Sequence, residues 1–104
     1  MILRLTKKLI KIPKRNPDSH KGNNGQVLAV GGSEDLVGAL TLASLAAARS
    51  GADLVIIFAP EKVAWAINKY SPDLITKKAK GKILTLKHYK IIKELIKKND
   101  TLLI

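Results

Sequence analysis

The residues best suited to ligand binding form a glycine-rich cluster in the first half of the chain. Gly31-Gly32-Ser33 follows a short apolar run, and Gly38-Ala39 begins a stretch rich in Ala and Leu. A glycine pair after a strand lets the backbone turn sharply and lets a ligand approach the main chain. The start of the next helix offers free N–H groups and a positive dipole end to an anion. Taken alone, the arrangement fits a ligand-facing turn and a purely structural turn equally well.

A second cluster, Ser19-His20-Lys21-Gly22, lies just before the same apolar run. His20 and Lys21 could steer the phosphates of an anionic ligand, or they could cap and anchor the chain where it enters the first strand. A lone histidine supports no catalytic role without a partner. The sequence also lacks the common nucleotide loops, because residues 31–36 read GGSEDL rather than GxGxxG and no GxxxxGK[ST] motif occurs.

Alternating strand and helix patterns surround these clusters and would position them. The predicted strands are 26–30, 53–59, 73–76 and 101–104, and the predicted helices are 38–49, 61–70 and 86–98. Residues 77–82 read as a mobile basic loop around Gly81. Apolar strands that alternate with helices predict an α/β fold with a parallel sheet covered on both faces. Ligands of such sheets bind beyond the carboxyl ends of the strands, where the Gly31-Gly32 turn would lie.

The apolar positions of two predicted helices indicate which faces pack on the sheet. In the second helix one stripe at helical spacing consists of Val63, Ala66, Ile67 and Tyr70. Trp65 falls off that stripe, and we expect its partial burial against a neighbouring segment rather than stacking on a ligand. In the third helix the apolar side consists of Ile91, Ile92, Leu95 and Ile96.

Composition and charge exclude several classes of protein. The net charge of +11 is concentrated before residue 22 and after residue 76, and only four residues are aromatic. This pattern favours solvated lysine faces and attraction of anionic metabolites over nucleic-acid binding. The absence of cysteine excludes disulfides, thiolate metal sites and thiol catalysis. No apolar run is long enough for a membrane helix or a secretory signal, so we expect a cytoplasmic protein.

The order of the motifs is more specific than any one of them. They are Ser19–Gly22 (SHKG), Gly25, an apolar strand, Gly31–Ser33 (GGS), Gly38-Ala39, Arg49, Gly51-Ala52 and a second strand that stops at Pro60. This ordered set resembles the opening of the NAD(P)H-hydrate dehydratase family, which belongs to the ribokinase-like superfamily. The resemblance covers residues 15–76, and it includes a Ser71–Leu74 segment similar to the family's P-E-[LIV] motif.

The resemblance implies a fold and a division of the chain. The fold would be a three-layer α/β/α Rossmann-like (ribokinase-like) parallel sheet, truncated after about four strands. Residues 1–18 would form a basic N-terminal segment, and residues 19–104 would be the N-terminal portion of the dehydratase domain.

The resemblance also implies a reaction and a set of site residues. Family members phosphorylate the added hydroxyl of hydrated NADH or NADPH from ADP or ATP and then eliminate phosphate, and Mg²⁺ accompanies the nucleotide. The family's alanine that touches the hydrated coenzyme corresponds to Ala39. Gly38 would allow close approach, Gly32 and Ser33 would shape the pocket, and His20 and Lys21 are further candidates for the substrate's phosphates.

The departures from the family pattern lie after residue 104. The family's G-P-G turn, its nucleotide-binding segments and its G-x-G-D motif have no counterpart in the sequence. We therefore expect that this chain alone neither binds ADP or ATP productively nor dehydrates the substrate. A C-terminal complement chain or a missing C-terminal part would complete it, and a homo-oligomer is expected. Two alternatives stay open, namely a fragment of another ribokinase-like small-molecule kinase and a noncatalytic basic binding module.

Overall fold

The fold is an α/β sheet structure, seen in a computed structural model that describes residues 4–104. Its strands are β1 (Gln26–Val30), β2 (Leu54–Pro60), β3 (Ile75–Ala79) and β4 (Thr101–Leu103), and its helices are α1 (Gly38–Arg49), α2 (Glu61–Tyr70) and α3 (Tyr89–Lys97). Short 3₁₀ turns occupy Lys7–Leu9 and Leu86–His88. The first three residues of the predicted basic segment 1–18 lie outside the described residues.

All four strands run parallel in the order β3-β2-β1-β4. The register pairs Gln26 with Leu54 and Val27 with Thr101, so β1 is central and has a neighbour on each side. The chain builds outward from β1 to β3 and then returns to place β4 on the other side of β1. This topology and the helices confirm the predicted parallel α/β fold.

Helices cover both faces of the sheet. Successive strand residues point to opposite sides, so each strand contributes side chains to both faces. On one face, residues such as Ala29 and Ile57 pack against α1 and α2 in a cluster that includes Leu40, Val63 and Ile67. On the other face, Leu28 and Phe58 pack with partly buried residues of α3. The two buried layers hold β1 and β2 rigidly, so the loops that follow these strands start from fixed positions.

The third strand differs from its predicted position. The sequence predicted a strand over 73–76 and a mobile loop over 77–82, whereas β3 spans Ile75–Ala79 and includes Lys77 and Lys78. The charge of both lysines is what favours a loop in the sequence. Charged side chains are common on an edge strand: Lys77 is exposed to solvent, and the partly buried Lys78 donates from its ammonium to Asn68 Oδ1 and Thr76 Oγ1.

Helices α2 and α3 are less buried than the apolar stripes in their sequences predict. Tyr70 is 71% exposed and Ile91 is 51% exposed, although the helical spacing predicts that both pack on the sheet. The predicted helix 86–98 begins with a 3₁₀ turn, and its α-helical part starts at Tyr89. Trp65 is half exposed. The Lys78 ammonium lies 4.3 Å from the centroid of its ring, so Trp65 packs against β3 as expected. Within residues 4–104, no helix is long and apolar enough to cross a membrane.

Candidate functional site

The connection from β1 to α1 is a turn that only glycine makes without strain. Gly31 and Gly32 have φ values of +152° and +87°, a region that side-chain-bearing residues rarely adopt. The N–H of Gly31 still donates to the carbonyl of Phe58 at 3.2 Å, so the ladder with β2 persists up to the turn. Leu36 N–H then donates to the Ser33 carbonyl at 3.1 Å, which closes a tight acidic turn.

This turn is held against the start of α2. A Cβ atom at Gly32 would lie 2.8 Å from Cγ1 of Val63 and 3.3 Å from Cδ2 of Leu40. An ion pair between Glu34 and Lys62 at 3.9 Å joins the same loop to the first turn of α2. Both side chains of the pair are exposed, so the pair contributes little, and the close packing at Gly32 fixes the loop.

The first turn of α1 is open to solvent and lacks a side-chain cap. Val37 occupies the cap position and makes no side-chain hydrogen bond, and no acidic residue lies in the first turn. Gly38 and Ala39 are exposed, and a Cβ at Gly38 would meet nothing within 4 Å. The first N–H groups of a helix have no partner within it, so this helix end can receive an anion or a polar ligand.

The turn and the helix start lie at the topological switch point of the sheet. The strand order reverses at β1, since the chain passes from β1 to β2 and β3 on one side and then places β4 on the other side. In open α/β sheets the crevice at the carboxyl end of two such strands is the usual ligand site. Gly32, Ser33, Gly38 and Ala39 lie in the loop and helix start that follow β1 at this point.

His20 and Lys21 lie at the opposite edge of the sheet. They precede β1, whose five residues separate them from the Gly31 turn by about 16 Å at the usual rise per strand residue. Both are exposed, and Asn23 Oδ1 accepts the His20 N–H at 2.6 Å. The structure thus brings four of the six predicted site residues together and leaves these two apart.

Asp53 organises the segment that contains His20, and sequence reasoning missed this role. Its Oδ2 accepts the backbone N–H groups of Gly22 and Asn24, each at 2.9 Å, and the Asn24 side-chain amide at 3.1 Å. Its Oδ1 lies 3.0 Å from the Arg15 guanidinium, which also donates to the Gly51 carbonyl. Only the position of an acid directly before a strand could have indicated it.

The hydrogen bonds to Asp53 stabilise its charged form. The Asn24 backbone N–H contributes most to holding the pKa of the Asp53 carboxyl below its ordinary value of 3.8, and the Asn24 amide, the Gly22 N–H and Arg15 act in the same direction. Partial burial opposes them. The carboxylate therefore clamps residues 15–24 onto the amino edge of the sheet at neutral pH.

A cleft of about 1020 Å³ lies beneath this clamped segment. It runs between residues 12–25, the C-terminal end of α1 and the first residue of β4. Its lining combines polar residues of the segment with the apolar Ile12, Pro13, Val27, Ala47 and Ala52. The cleft is separate from the candidate site at the carboxyl edge, since its lining includes no residue of the Gly31–Ala39 segment.

The described residues do not form a metal site. Within residues 4–104, no three His, Cys, Asp or Glu side chains are grouped so that they could hold a metal ion. At the carboxyl edge, the carboxylate of Glu34 is paired with Lys62. These residues alone do not supply a set of three such side chains for the Mg²⁺ that the resemblance implies.

Comparisons with known proteins identify the family to which the chain is similar. The family model described as NAD(P)H-hydrate dehydratase matches residues 6–100. A bifunctional NAD(P)H-hydrate repair enzyme of Methanothermobacter thermautotrophicus is 45% identical over 95 residues, which are 91% of this chain and 18% of that protein. An ATP-dependent (S)-NAD(P)H-hydrate dehydratase of Ixodes scapularis is 48% identical over 64 residues, which are 62% of this chain and 21% of that protein.

Solved structures show the same fold over part of their length. A hypothetical protein from Streptococcus mutans matches with a TM-score of 0.69 and 28% identity, covering 86% of this chain and 30% of that one. A ribokinase-like superfamily protein from Enterococcus faecalis matches with a TM-score of 0.72 and 24% identity, covering 89% and 30%. The chain therefore spans about a fifth of the curated relatives and about a third of the solved structures. The family model matches residues 6–100, which is nearly the whole length of this chain, so the chain belongs to the NAD(P)H-hydrate dehydratase family.

Proposed function

We propose that the Gly31–Ser33 turn and the start of α1 form one wall of the pocket that binds hydrated NADH or NADPH in a nucleotide-dependent dehydratase. The observation that carries this proposal is the exposure of Gly38 and Ala39 beside the switch point. The turn before them is fixed by packing against Val63, so the wall is rigid before any ligand binds. Rigid walls lower the ordering cost of binding.

The chemistry of the wall suits this substrate. A hydrated nicotinamide coenzyme carries a diphosphate and a flat, polar ring. Free N–H groups at the uncapped start of α1 can donate to its anionic or hydroxyl oxygens. Gly38 presents no side chain and Ala39 presents only a methyl group, so a ring can approach the backbone closely.

The proposed reaction needs groups beyond the Gly31–Ala39 segment. In the proposed reaction the added hydroxyl is phosphorylated from ADP or ATP, and phosphate is then eliminated to restore the ring double bond. The residues that bind the nucleotide and its Mg²⁺, and those that take the proton from the hydroxyl, would come from the rest of the family's domain. ATP is named for the Ixodes relative, and for this chain both donors remain part of the proposal.

His20 and Lys21 receive a different role in this proposal. Their place at the amino edge and the backbone bond from His20 to Asn23 favour anchoring of the chain before β1 over contact with the substrate.

The names of the relatives favour a dehydratase over another ribokinase-like kinase, and no observation favours a basic binding module. A cytoplasmic location and a homo-oligomer remain predictions from the sequence.

A chimera tests the proposal. The segment of the Methanothermobacter relative that aligns with this chain is replaced by this chain, and dehydration of hydrated NADPH is measured. We expect an active chimera in which Ala39→Leu raises KM at least about tenfold by filling the pocket. Ala48→Leu, at an exposed position near the other end of α1, is the matched control and should leave KM unchanged. An inactive chimera, or equal effects of the two variants, would count against the proposal.

A further inference from the structure

Lys62 and Glu34 form a charged pair beside the Gly31–Ser33 turn. Lys62 is the second residue of α2, which follows β2, and Glu34 lies in the loop that follows β1. Their charged groups are 3.9 Å apart, and their side chains are 80% and 41% exposed. A pair this open to solvent stabilises a fold only weakly, so both groups can turn to a ligand at little cost.

Packing of the backbone holds the pair next to the candidate site. Val63, which follows Lys62, lies so close to Gly32 that a Cβ on the glycine would be 2.8 Å from Cγ1 of the valine. Val63 is buried in the core, so this part of α2 cannot shift without disturbing close-packed side chains. The backbone of Lys62 is therefore fixed beside the turn, while its ammonium group reaches solvent.

Charge at this edge of the sheet is mostly negative. The segments 31–39 and 60–63 contain three acids, Glu34, Asp35 and Glu61, and a single base, Lys62. Carboxylates repel phosphate and accept hydrogen bonds from sugar hydroxyls, whereas an ammonium group donates to phosphate. Among the side chains of these two segments, only Lys62 can therefore receive a phosphate group.

The position of Lys62 in the sheet indicates which phosphate it meets. β2 pairs with β1 on the side away from β4. In α/β sheets with this strand order, a dinucleotide places its diphosphate at the helix that follows the first strand, and residues at the end of the second strand contact the 2′ position of its adenosine ribose. Lys62 lies just beyond the end of β2. Hydrated NADH has a hydroxyl at that ribose position, and hydrated NADPH has a phosphate.

We propose that Lys62 and Glu34 distinguish the two forms of the hydrated coenzyme. The Lys62 ammonium donates to the 2′-phosphate of hydrated NADPH, and the Glu34 carboxylate accepts from the 2′-hydroxyl of hydrated NADH. A 2′-phosphate carries about −1.5 to −2 charges at pH 7, so Lys62 favours its binding and Glu34 opposes it. This assignment rests on the proposed coenzyme pocket and gives that pocket its selectivity.

The test compares hydrated NADPH with hydrated NADH, which differ only at the 2′ position. Dissociation constants of both are measured on the ¹⁵N-labelled chain from amide shifts in the Gly31–Ala39 segment. Lys62→Ala should lower the preference for hydrated NADPH over hydrated NADH at least about fivefold, and Glu34→Gln should raise it at least about threefold. Lys69→Ala, at an exposed lysine in the last turn of the same helix, is the matched control and should leave the preference unchanged.

The ratio of the two affinities separates selectivity from a merely structural role of the pair. A pair that only anchored the loop would, when broken, weaken the binding of both forms equally. In the chimera with the Methanothermobacter relative, Lys62→Ala should raise KM for hydrated NADPH and leave KM for ADP or ATP unchanged. That split identifies the coenzyme, and not the nucleotide donor, as the source of the phosphate. Thermal melting of the variants checks their folding.

The results that overturn the assignment differ from those that overturn the proposed function. The assignment alone fails when both coenzyme forms bind the Gly31–Ala39 segment and Lys62→Ala leaves their ratio unchanged, or when Lys62→Ala raises KM for ADP or ATP instead. The proposed function fails, and the assignment with it, when neither form shifts the amides of that segment.

Discussion

Gly32 lies so close to Val63 that a Cβ atom on the glycine would be 2.8 Å from Cγ1 of the valine. Gly32 also has a φ of +87°, which an L-residue rarely adopts. Backbone strain and overpacking would therefore act together on any larger residue. This contact fixes the proposed pocket wall against α2.

Gly32→Ala is expected to destabilise the chain by about 1–3 kcal/mol, because the methyl group forces either the turn or Val63 to move. The measurement is urea unfolding followed by circular dichroism. Gly38→Ala is the control, since a Cβ there meets nothing within 4 Å and Gly38 is in the helix. It should be neutral or stabilising by up to about 1 kcal/mol. Equal destabilisation by both variants would contradict the role given to the contact.

The Asp53 clamp predicts a pH dependence. The folded pKa of Asp53 lies below its ordinary value of 3.8, with the Asn24 backbone N–H as the main cause. Because the pKa is lower in the folded state, the charged carboxylate stabilises the fold. This stabilisation is complete at pH values above the ordinary pKa, and it is lost as the pH falls through the lower pKa of the folded state. Asp53→Asn should be less stable than the unaltered chain at pH 7.

The stability difference between the unaltered chain and Asp53→Asn should stay constant from pH 7 to about pH 5 and should shrink below about pH 4. Urea unfolding of both chains across this range measures it. Asp35→Asn, at an exposed acid without a resolved ion pair among the described residues, is a suitable comparison. A difference that grows on acidification would show that the carboxylate is not the stabilising form.

The two histidines of the chain should differ sharply in their contribution to stability. His88 is buried, its Nδ1 accepts the Thr85 N–H at 3.0 Å, its Nε2 donates to the Lys80 carbonyl at 2.9 Å, and its ring packs edge-on to Phe58. His88→Ala should cost about 2–4 kcal/mol through the cavity and the two lost hydrogen bonds. His20→Ala, at an exposed side chain, should change stability by less than about 0.5 kcal/mol. Thermal unfolding compares them.

The chain by itself should not release phosphate from ADP or ATP in the presence of hydrated NADPH. Among residues 4–104 no three His, Cys, Asp or Glu side chains are grouped to hold a metal ion, and transfer of a phosphoryl group depends on such positioning and charge stabilisation. A phosphate assay on the purified chain measures this, with the unaltered Methanothermobacter relative as the positive control. Phosphate release above the background rate would contradict the expectation.

The sequence predicted the buried strands correctly, whereas its predictions failed for the edge strand and for exposed helix residues. The apolar runs of β1 and β2 required a covered sheet, and both strands were placed correctly to within one residue. Lys77 and Lys78 hid β3, because a free edge tolerates the charges that a buried strand excludes. Tyr70 and Ile91 sat at helical spacing on their stripes, but spacing does not show where a small sheet stops covering a helix.

The candidate site was predictable only in part, for a reason of topology. Gly32, Ser33, Gly38 and Ala39 follow one strand, so their proximity is local and could be read from the sequence. His20 and Lys21 precede that strand, and a parallel strand carries the chain from one edge of the sheet to the other. Asp53 contacts Gly22 across 31 positions of sequence, and the position of an acid before a strand does not show which distant residues it contacts.

The most direct test of the central claim maps hydrated NADPH onto the chain by nuclear magnetic resonance. Amide correlation spectra of the ¹⁵N-labelled chain are recorded as the ligand is added to millimolar concentration. The largest shifts are predicted at Gly32, Ser33, Gly38 and Ala39, at the carboxyl edge of the sheet. Unchanged signals from these residues, or shifts confined to His20 and Lys21 at the opposite edge, would contradict the account.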